Sequence, residues 1–285
     1  GTFSYIPFNW QSKSMFRPNK WLAPTEVEIY SADGEILQEK NILGVNSCAK
    51  FGYKGALAYM VAKNASYREV MFESFENLYN NTLLEDNLEK GDVTIVSDKS
   101  HSGNKSAKMN GPNYLLKYQG SNNGLQATNH IKSKGLLVKF WLHTIDDNIN
   151  NEGSVSIELL SNSNLITTKN IKIIAQTGLW RLCEVTFSPS DINNLPLLSN
   201  ISLNIKKTIG DVWIDDIAVQ PYDAEIANYV YDSKTFKLLA SLDSQHFGMY
   251  YLYNDEGKLV RKQVETERGL KIIQETQYNT PKQNR

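Results

Sequence analysis

The clearest order in the chain is a two-residue alternation of apolar and polar positions. Val155, Ile157 and Leu159 alternate with Ser154, Ser156 and Glu158. Cys183, Val185 and Phe187 alternate with Glu184, Thr186 and Ser188, and Ile201, Leu203 and Ile205 with Ser202, Asn204 and Lys206. Successive side chains of a strand point to opposite faces, so this period buries one face and leaves the other polar. Further strand-like runs occur near 92–97, 105–109, 114–119, 135–144, 166–174 and 212–219. About eight or nine short strands, separated by clusters such as Gly120-Ser121-Asn122-Asn123-Gly124 and 146–153, predict a two-sheet β-sandwich over 70–221.

The flanks have a different texture. Asp33-Gly34 between Val27–Tyr30 and Ile36-Leu37 is a hairpin signal. The spacing Tyr-x-x-x-Gly-x-(Leu/Ile) occurs at Tyr30, Gly34 and Ile36 and again at Tyr253, Gly257 and Leu259, an internal strand–turn–strand repeat on either side of the sandwich. The alanine-rich stretch 53–65 predicts a short helix, whereas 261–278 is charged enough to read as a helix, but Gly269 and the alternation of Leu270 and Ile272 favour strands. Residues 1–24 set Phe3, Tyr5, Phe8, Trp10, Phe16 and Trp21 among Pro7, Pro18 and Pro24, a spacing that resists helix and suits packing of rings onto another surface. The expected organisation is 1–69, an aromatic segment and hairpin; 70–221, the sandwich; and 222–285, a strand-rich tail.

Composition narrows the function. The chain has 285 residues, 41% of them hydrophobic, with 30 Lys+Arg against 31 Asp+Glu, a net charge of −1. No global positive field favours nucleic acid, and no apolar run approaches the roughly 18 residues of a membrane span. The 29 Asn suit many turns. Cys48 and Cys183 lie in apolar surroundings and are expected to be buried free thiols. Residues 1–10 carry no basic-then-apolar leader, so the chain is expected to have lost one or to be a fragment of a longer protein.

Four pieces occur in order: Phe75-Glu76-Asn77, His101-Ser102-Gly103-Asn104-Lys105-Ser106, Trp180 to Val185, and Val212-Trp213-Ile214-Asp215-Asp216-Ile217. This set resembles the galactose-binding-like jelly rolls of carbohydrate-binding modules. The flanks, with the tail Tyr229 to Gly269, resemble tyrosine–aspartate (YD, RHS-type) repeats, and the ensemble is similar to large surface proteins of Bacteroidetes. The resemblance implies an all-β jelly roll flanked by β-hairpin segments. It implies an exported chain, secreted or on the extracellular side of the outer membrane. It also implies a structural calcium held by Glu76 and Asp216, with Asp215 as alternate and a carbonyl near Asn104 or Lys105; calcium takes six to eight oxygens. The competing reading bridges Glu76 to a lysine or leaves it exposed to solvent.

In Leu136 to His143, Leu136, Val138, Phe140 and Leu142 share one face, and Leu137, Lys139, Trp141 and His143 the other. Trp180 is likewise out of phase with Cys183. Trp141, His143 and Trp180, with Tyr114 and Tyr118 beside a Gly/Asn-rich loop, are therefore candidate glycan contacts, because aromatic rings stack on sugar C–H faces. The alternative is that the aromatic N-terminal segment covers them. No metal, nucleophile-elbow or phosphate-loop motif is present. Asp146-Asp147 and Asp215-Asp216 are adjacent residues, which on a regular strand point to opposite faces. The expected function is a non-catalytic extracellular binding or display module with a glycan partner, part of a larger surface protein. The alternatives are a structural spacer and, third, a glycoside hydrolase, which would need two carboxylates about 5–10 Å apart in a cleft.

Overall fold

A computed structural model describes residues 23–76, 92–116, 124–144, 155–208 and 210–278. The aromatic segment before residue 23, Asn77, Tyr118, Asn122-Asn123 and the Asp146-Asp147 loop lie outside these residues. The first flank forms β1 (Thr25–Tyr30), β2 (Ile36–Asn41), β3 (Asn46–Gly52) and β4 (Leu57–Lys63). The middle forms β5 (Met71–Glu73), β6 (Val93–Val96), β7 (Ser106–Met109), β8 (Asn113–Leu116), helix α1 (Asn129–Lys134), β9 (Leu136–Thr144), β10 (Val155–Ser161), β11 (Asn164–Asn170), β12 (Lys172–Thr177), β13 (Trp180–Phe187), helix α2 (Pro189–Ile192), β14 (Ile201–Lys207) and β15 (Val212–Pro221). The last flank forms β16 (Glu225–Tyr231), β17 (Leu238–Leu242), β18 (Gly248–Tyr253), β19 (Leu259–Thr266) and β20 (Gly269–Glu275).

The middle is the expected all-β sandwich. A four-stranded sheet, β11-β10-β14-β8, faces a seven-stranded one, β12-β13-β9-β15-β7-β6, with β5 also on β15. Leu136, Val138, Phe140 and Leu142 have no exposed surface and pack with Val155, Ile157, Leu159, Cys183, Val185, Leu203 and Ile205 between the sheets. Cys48 and Cys183 are buried free thiols, and burial pushes Cys48 up to about 12.

The two flanks form a single nine-stranded sheet, β1-β2-β3-β4-β16-β17-β18-β19-β20, joined where Ala62 of β4 pairs with Ile226 of β16. The expected helix at 53–65 is corrected here. Its residues 57–63 are β4, paired on both edges, and Tyr53, Lys54 and Gly55 turn the chain with φ of 53°, 64° and 81°. Alanine's helix propensity is worth only a fraction of a kcal/mol per residue, and two rows of ladder bonds plus burial of Tyr59, Met60 and Ala62 outweigh it.

The repeat read from the sequence is visible as turn geometry. Tyr30 pairs with Ile36 and Tyr253 with Leu259, each after a register shift. In the turns 31–35, 41–45, 243–247 and 254–258, the first N–H donates to the fifth carbonyl and the fourth N–H to the first carbonyl. The side chain of Ser31, Asn41, Asp243 or Asn254 then accepts from the fifth N–H. The fourth residue has positive φ in all four: Gly34, Gly44 and Gly257, but His246 in the turn 243–247.

The face assignment of β9 gives a direct test. Phe140→Ala is expected to cost about 3–5 kcal/mol, because it opens a void in a closed core. Thr144→Ala, at the half-buried end of the same strand, is expected to cost under about 1 kcal/mol. Urea unfolding of the two variants checks this.

Candidate functional site

The site begins at a break in β15. Opposite Trp141 and Lys139 of β9, residues Asp215 and Ala218 mark a register shift that inserts one extra residue, and Asp216 there has φ of 50°. Ile214 and Ile217 both reach the sandwich core across this bulge. A β-bulge suspends the alternation of faces. The expectation that Asp215 and Asp216 point apart is therefore corrected: both carboxylates turn to the loop carrying His101 and Ser102.

Asp215 Oδ2 accepts from the His101 N–H at 2.8 Å, and Asp215 Oδ1 from the Asp216 N–H at 2.9 Å. Asp216 Oδ1 accepts from the Ser102 hydroxyl at 2.6 Å. The His101 ring lies between two carboxylates, Nδ1 at 2.7 Å from Asp216 and Nε2 at 2.9 Å from Glu265 of β19. With a carboxylate at each nitrogen the ring is read as the imidazolium, donating from both. Burial opposes that charge, but the two carboxylates outweigh it and raise the pKa. The ring stacks on Trp141 at 3.9 Å and 13°.

A second anchor lies beside it. The Trp141 indole N–H donates to the His246 carbonyl at 3.1 Å, and His246 Nε2 meets the Asp216 carbonyl. Phe247 closes over the Trp141 ring edge-on at 6.2 Å. Burial lowers His246 to about 4, which keeps it neutral and able to donate from Nε2. Glu265 Oε2 also accepts from the Gly248 N–H. The turn between β17 and β18 thus sits on the outer face of the seven-stranded sheet.

This cover leaves an open cleft of about 770 Å³ at one end of that face. Lys99, His101 and His143 line it from the sandwich, with Leu179 and Trp180 from the turn into β13, and Tyr250, Glu265 and Leu270 close it from the nine-stranded sheet. At its back Trp180 on β13 pairs with His143 on β9, and beyond the lining His143 pairs in turn with Trp213 on β15. The His143 ring meets both indoles edge-on at 5.4 Å. Burial lowers the His143 pKa, as do Lys99 and Arg181, while Asp98 works the other way.

The structure divides the predicted ligand residues. His143 and Trp180 line the cleft. Trp141 has no exposed surface and is covered by His101, His246 and Phe247 rather than left open. Tyr114 is a core residue, packed against Phe75 at 6.4 Å, because β8 turns it into the sandwich. Lys99, His101, Tyr250 and Glu265 escaped the sequence reading; no local motif joins residues brought together from β7's approach, β18 and β19.

The calcium expectation meets a different arrangement. Glu76 Oε1 accepts from the backbone N–H groups of Asn104 and Lys105 at 2.5 and 2.7 Å, and Lys105 Nζ donates to the Glu76 carbonyl at 2.7 Å. A Cβ on Gly103 would overlap Glu76 Oε1, which explains glycine in the Ser-Gly pair. Burial raises Glu76 to about 7, with Asp216 adding to the effect, and burial together with Asp216 raises Asp215 well above the usual carboxylate range. The carboxylates of Asp215 and Asp216 are engaged by the chain's own donors. Among the described residues no group of three His, Cys, Asp or Glu side chains is placed to hold a metal ion. As folded, the carboxylates expected to hold calcium are engaged by the chain's own donors, and Lys105 Nζ reaches the Glu76 main-chain carbonyl rather than its carboxylate.

No protein-family model matches the chain, and no curated protein matches it. Among solved structures it is similar to the CBM22-1 xylan-binding domain of Paenibacillus barcinonensis Xyn10C, at 12% identity over 55% of this chain and 96% of that one, with a TM-score of 0.34. It is similar to CBM28, a carbohydrate-binding module specific for non-crystalline cellulose, at 17% identity over 52% and 97%, TM-score 0.34. It is also similar to the CBM22-1–GH10 modules of Clostridium thermocellum Xyn10B complexed with xylohexaose, at 14% identity over 53% and 28%, TM-score 0.28. No residue of this chain takes a role from these likenesses. No helix among the described residues is long and apolar enough to cross a membrane.

Removing His101 would leave Asp216 and Glu265 buried without their shared cation. His101→Ala is expected to destabilise by about 3–5 kcal/mol in urea unfolding. Glu265→Gln in that background is expected to cost much less than in the native chain, since both substitutions remove one bridge.

Proposed function

We propose that the chain is a non-catalytic glycan-binding module whose site is the cleft of His143, Trp180 and Tyr250. One observation carries this reading: beside the turn that covers Trp141, the outer face of the seven-stranded sheet keeps a cleft in which the edge of Trp180, 9% exposed, meets Tyr250 and a few polar groups. Concave sites with apolar walls and sparse polar groups are the usual form for small organic ligands. The carboxylates that line the cleft favour binding over hydrolysis. Glu265 is held at both oxygens, by His101 and the Gly248 N–H, and Asp98 is exposed on its loop. An exported, surface-displayed setting within a longer protein suits this reading.

A second reading, a structural spacer, is favoured by the burial of Trp141, since much of the sheet face serves to dock the flanks. Titration calorimetry against a panel of plant, bacterial and host polysaccharides separates the two. Binding to at least one glycan is expected, weakened at least about tenfold by Trp180→Ala with the fold retained. Absence of heat across the panel would leave the spacer.

A further inference from the structure

At one corner of the cleft, buried polar groups stand without partners. His143 is 5% exposed and its Nδ1 has no hydrogen-bond partner. Trp213, its neighbour in the cross-strand row, is 3% exposed, and its indole N–H, which can only donate, has none either. Lys99 lies with Nζ 3.6 Å from the centre of the Trp213 ring and makes no ion pair among the described residues. Lys108, 4.9 Å from the same ring, is already paired with Asp211. No carboxylate hydrogen-bonds this corner among the described residues: Glu265 is committed to His101 and Gly248, Asp211 bonds Lys108 and reaches Lys99 only through space, and Asp98 is exposed on the rim.

Buried polar groups nearly always have a partner, and an orphan calls for a water, an ion or a ligand. A water satisfies one orphan, but Lys99 and Lys108 share the one carboxylate of Asp211, which hydrogen-bonds only Lys108, so the corner keeps an excess of positive charge. Resting on the glycan-binding reading above, we infer that the ligand is an anionic glycan, whose carboxylate or sulfate group sits at the Lys99–His143 corner while its sugar ring meets Trp180. The ammonium is held over an aromatic ring, a contact that fixes its place without neutralising it. An anion there would accept a charge-assisted bond from Lys99, the stronger kind of hydrogen bond. The apolar side of the cleft, Leu179 and Trp180, lies next to that corner and suits the C–H face of the same residue.

The test is calorimetric titration with three sets of oligosaccharides of matched length: oligogalacturonides for the carboxylate, sulfated galactans for the sulfate ester, and neutral xylo- and cello-oligosaccharides. One anionic set is expected to bind at least about tenfold tighter than the neutral ones, a difference of about 1.4 kcal/mol. That binding is expected to weaken in added salt, to fall about tenfold in Lys99→Gln and to return in Lys99→Arg, which keeps the charge if Gln disturbs the Trp213 contact. Lys234→Gln, on the exposed turn between β16 and β17, serves as the charge control. The preferred set tells carboxylate from sulfate. Neutral glycans binding as tightly as anionic ones, with Lys99→Gln silent, would overturn the anionic class and leave the glycan reading standing. No binding by any set would overturn both.

Discussion

The structure depends on one buried ion bridge. His101 lies between Asp216 of the sandwich and Glu265 of the nine-stranded sheet, its side chain 3% exposed and both carboxylates fully buried. Desolvating three charges is expensive, and a bridge of this kind repays it only where further hydrogen bonds hold every oxygen. That condition is met: Asp216 also receives the Ser102 hydroxyl, and Glu265 the Gly248 N–H. The bulge at Asp216 makes it possible, because a regular strand would have sent one of the two aspartates into the apolar core. Local strain at a positive-φ aspartate is thus exchanged for a charged contact between sheets that share no ladder at this point. A second histidine also lies between two carboxylates, at a more exposed place: His130 spans Glu69 and Asp223, near where the chain enters and leaves the sandwich.

The docking turn shows the same trade. Three of the four equivalent turns place glycine at the positive-φ position, where a side chain costs energy. The fourth places His246 there, with φ of 76°. It bears the strain because its ring reaches the Asp216 carbonyl and its own carbonyl receives the Trp141 indole. The departure from the repeat is therefore the point of attachment.

Much of the fold was legible because it is written in local periodicity. The parity of Leu136 to His143 placed four residues in the core and the other set on the outer face, and Tyr30 and Tyr253 marked equivalent hairpins. The stretch 53–65 misled because its alanines speak to intrinsic propensity, whereas the strand there is set by partners on both sides, β3 and β16. The bridge left no local trace. His101 is 115 residues from Asp216 and 164 from Glu265, and neither spacing belongs to a motif. Trp141 illustrates the limit of a face assignment: its parity was right, but a turn more than a hundred residues later decides whether that face is open.

The cleft and the bridge are made of the same residues. His101, Tyr250 and Glu265 wall the cleft, and the Tyr250 hydroxyl lies 3.2 Å from the His101 Nε2 that Glu265 holds. The shape of the cleft is therefore fixed by contacts the fold already requires. A site held this way loses little conformational entropy when it is filled, which favours affinity from a modest contact area. It also commits Glu265 to the fold, since His101 and the Gly248 N–H take both of its oxygens. A carboxylate that holds two sheets together has both oxygens occupied, and releasing one to move a proton would weaken the attachment on which the cleft depends.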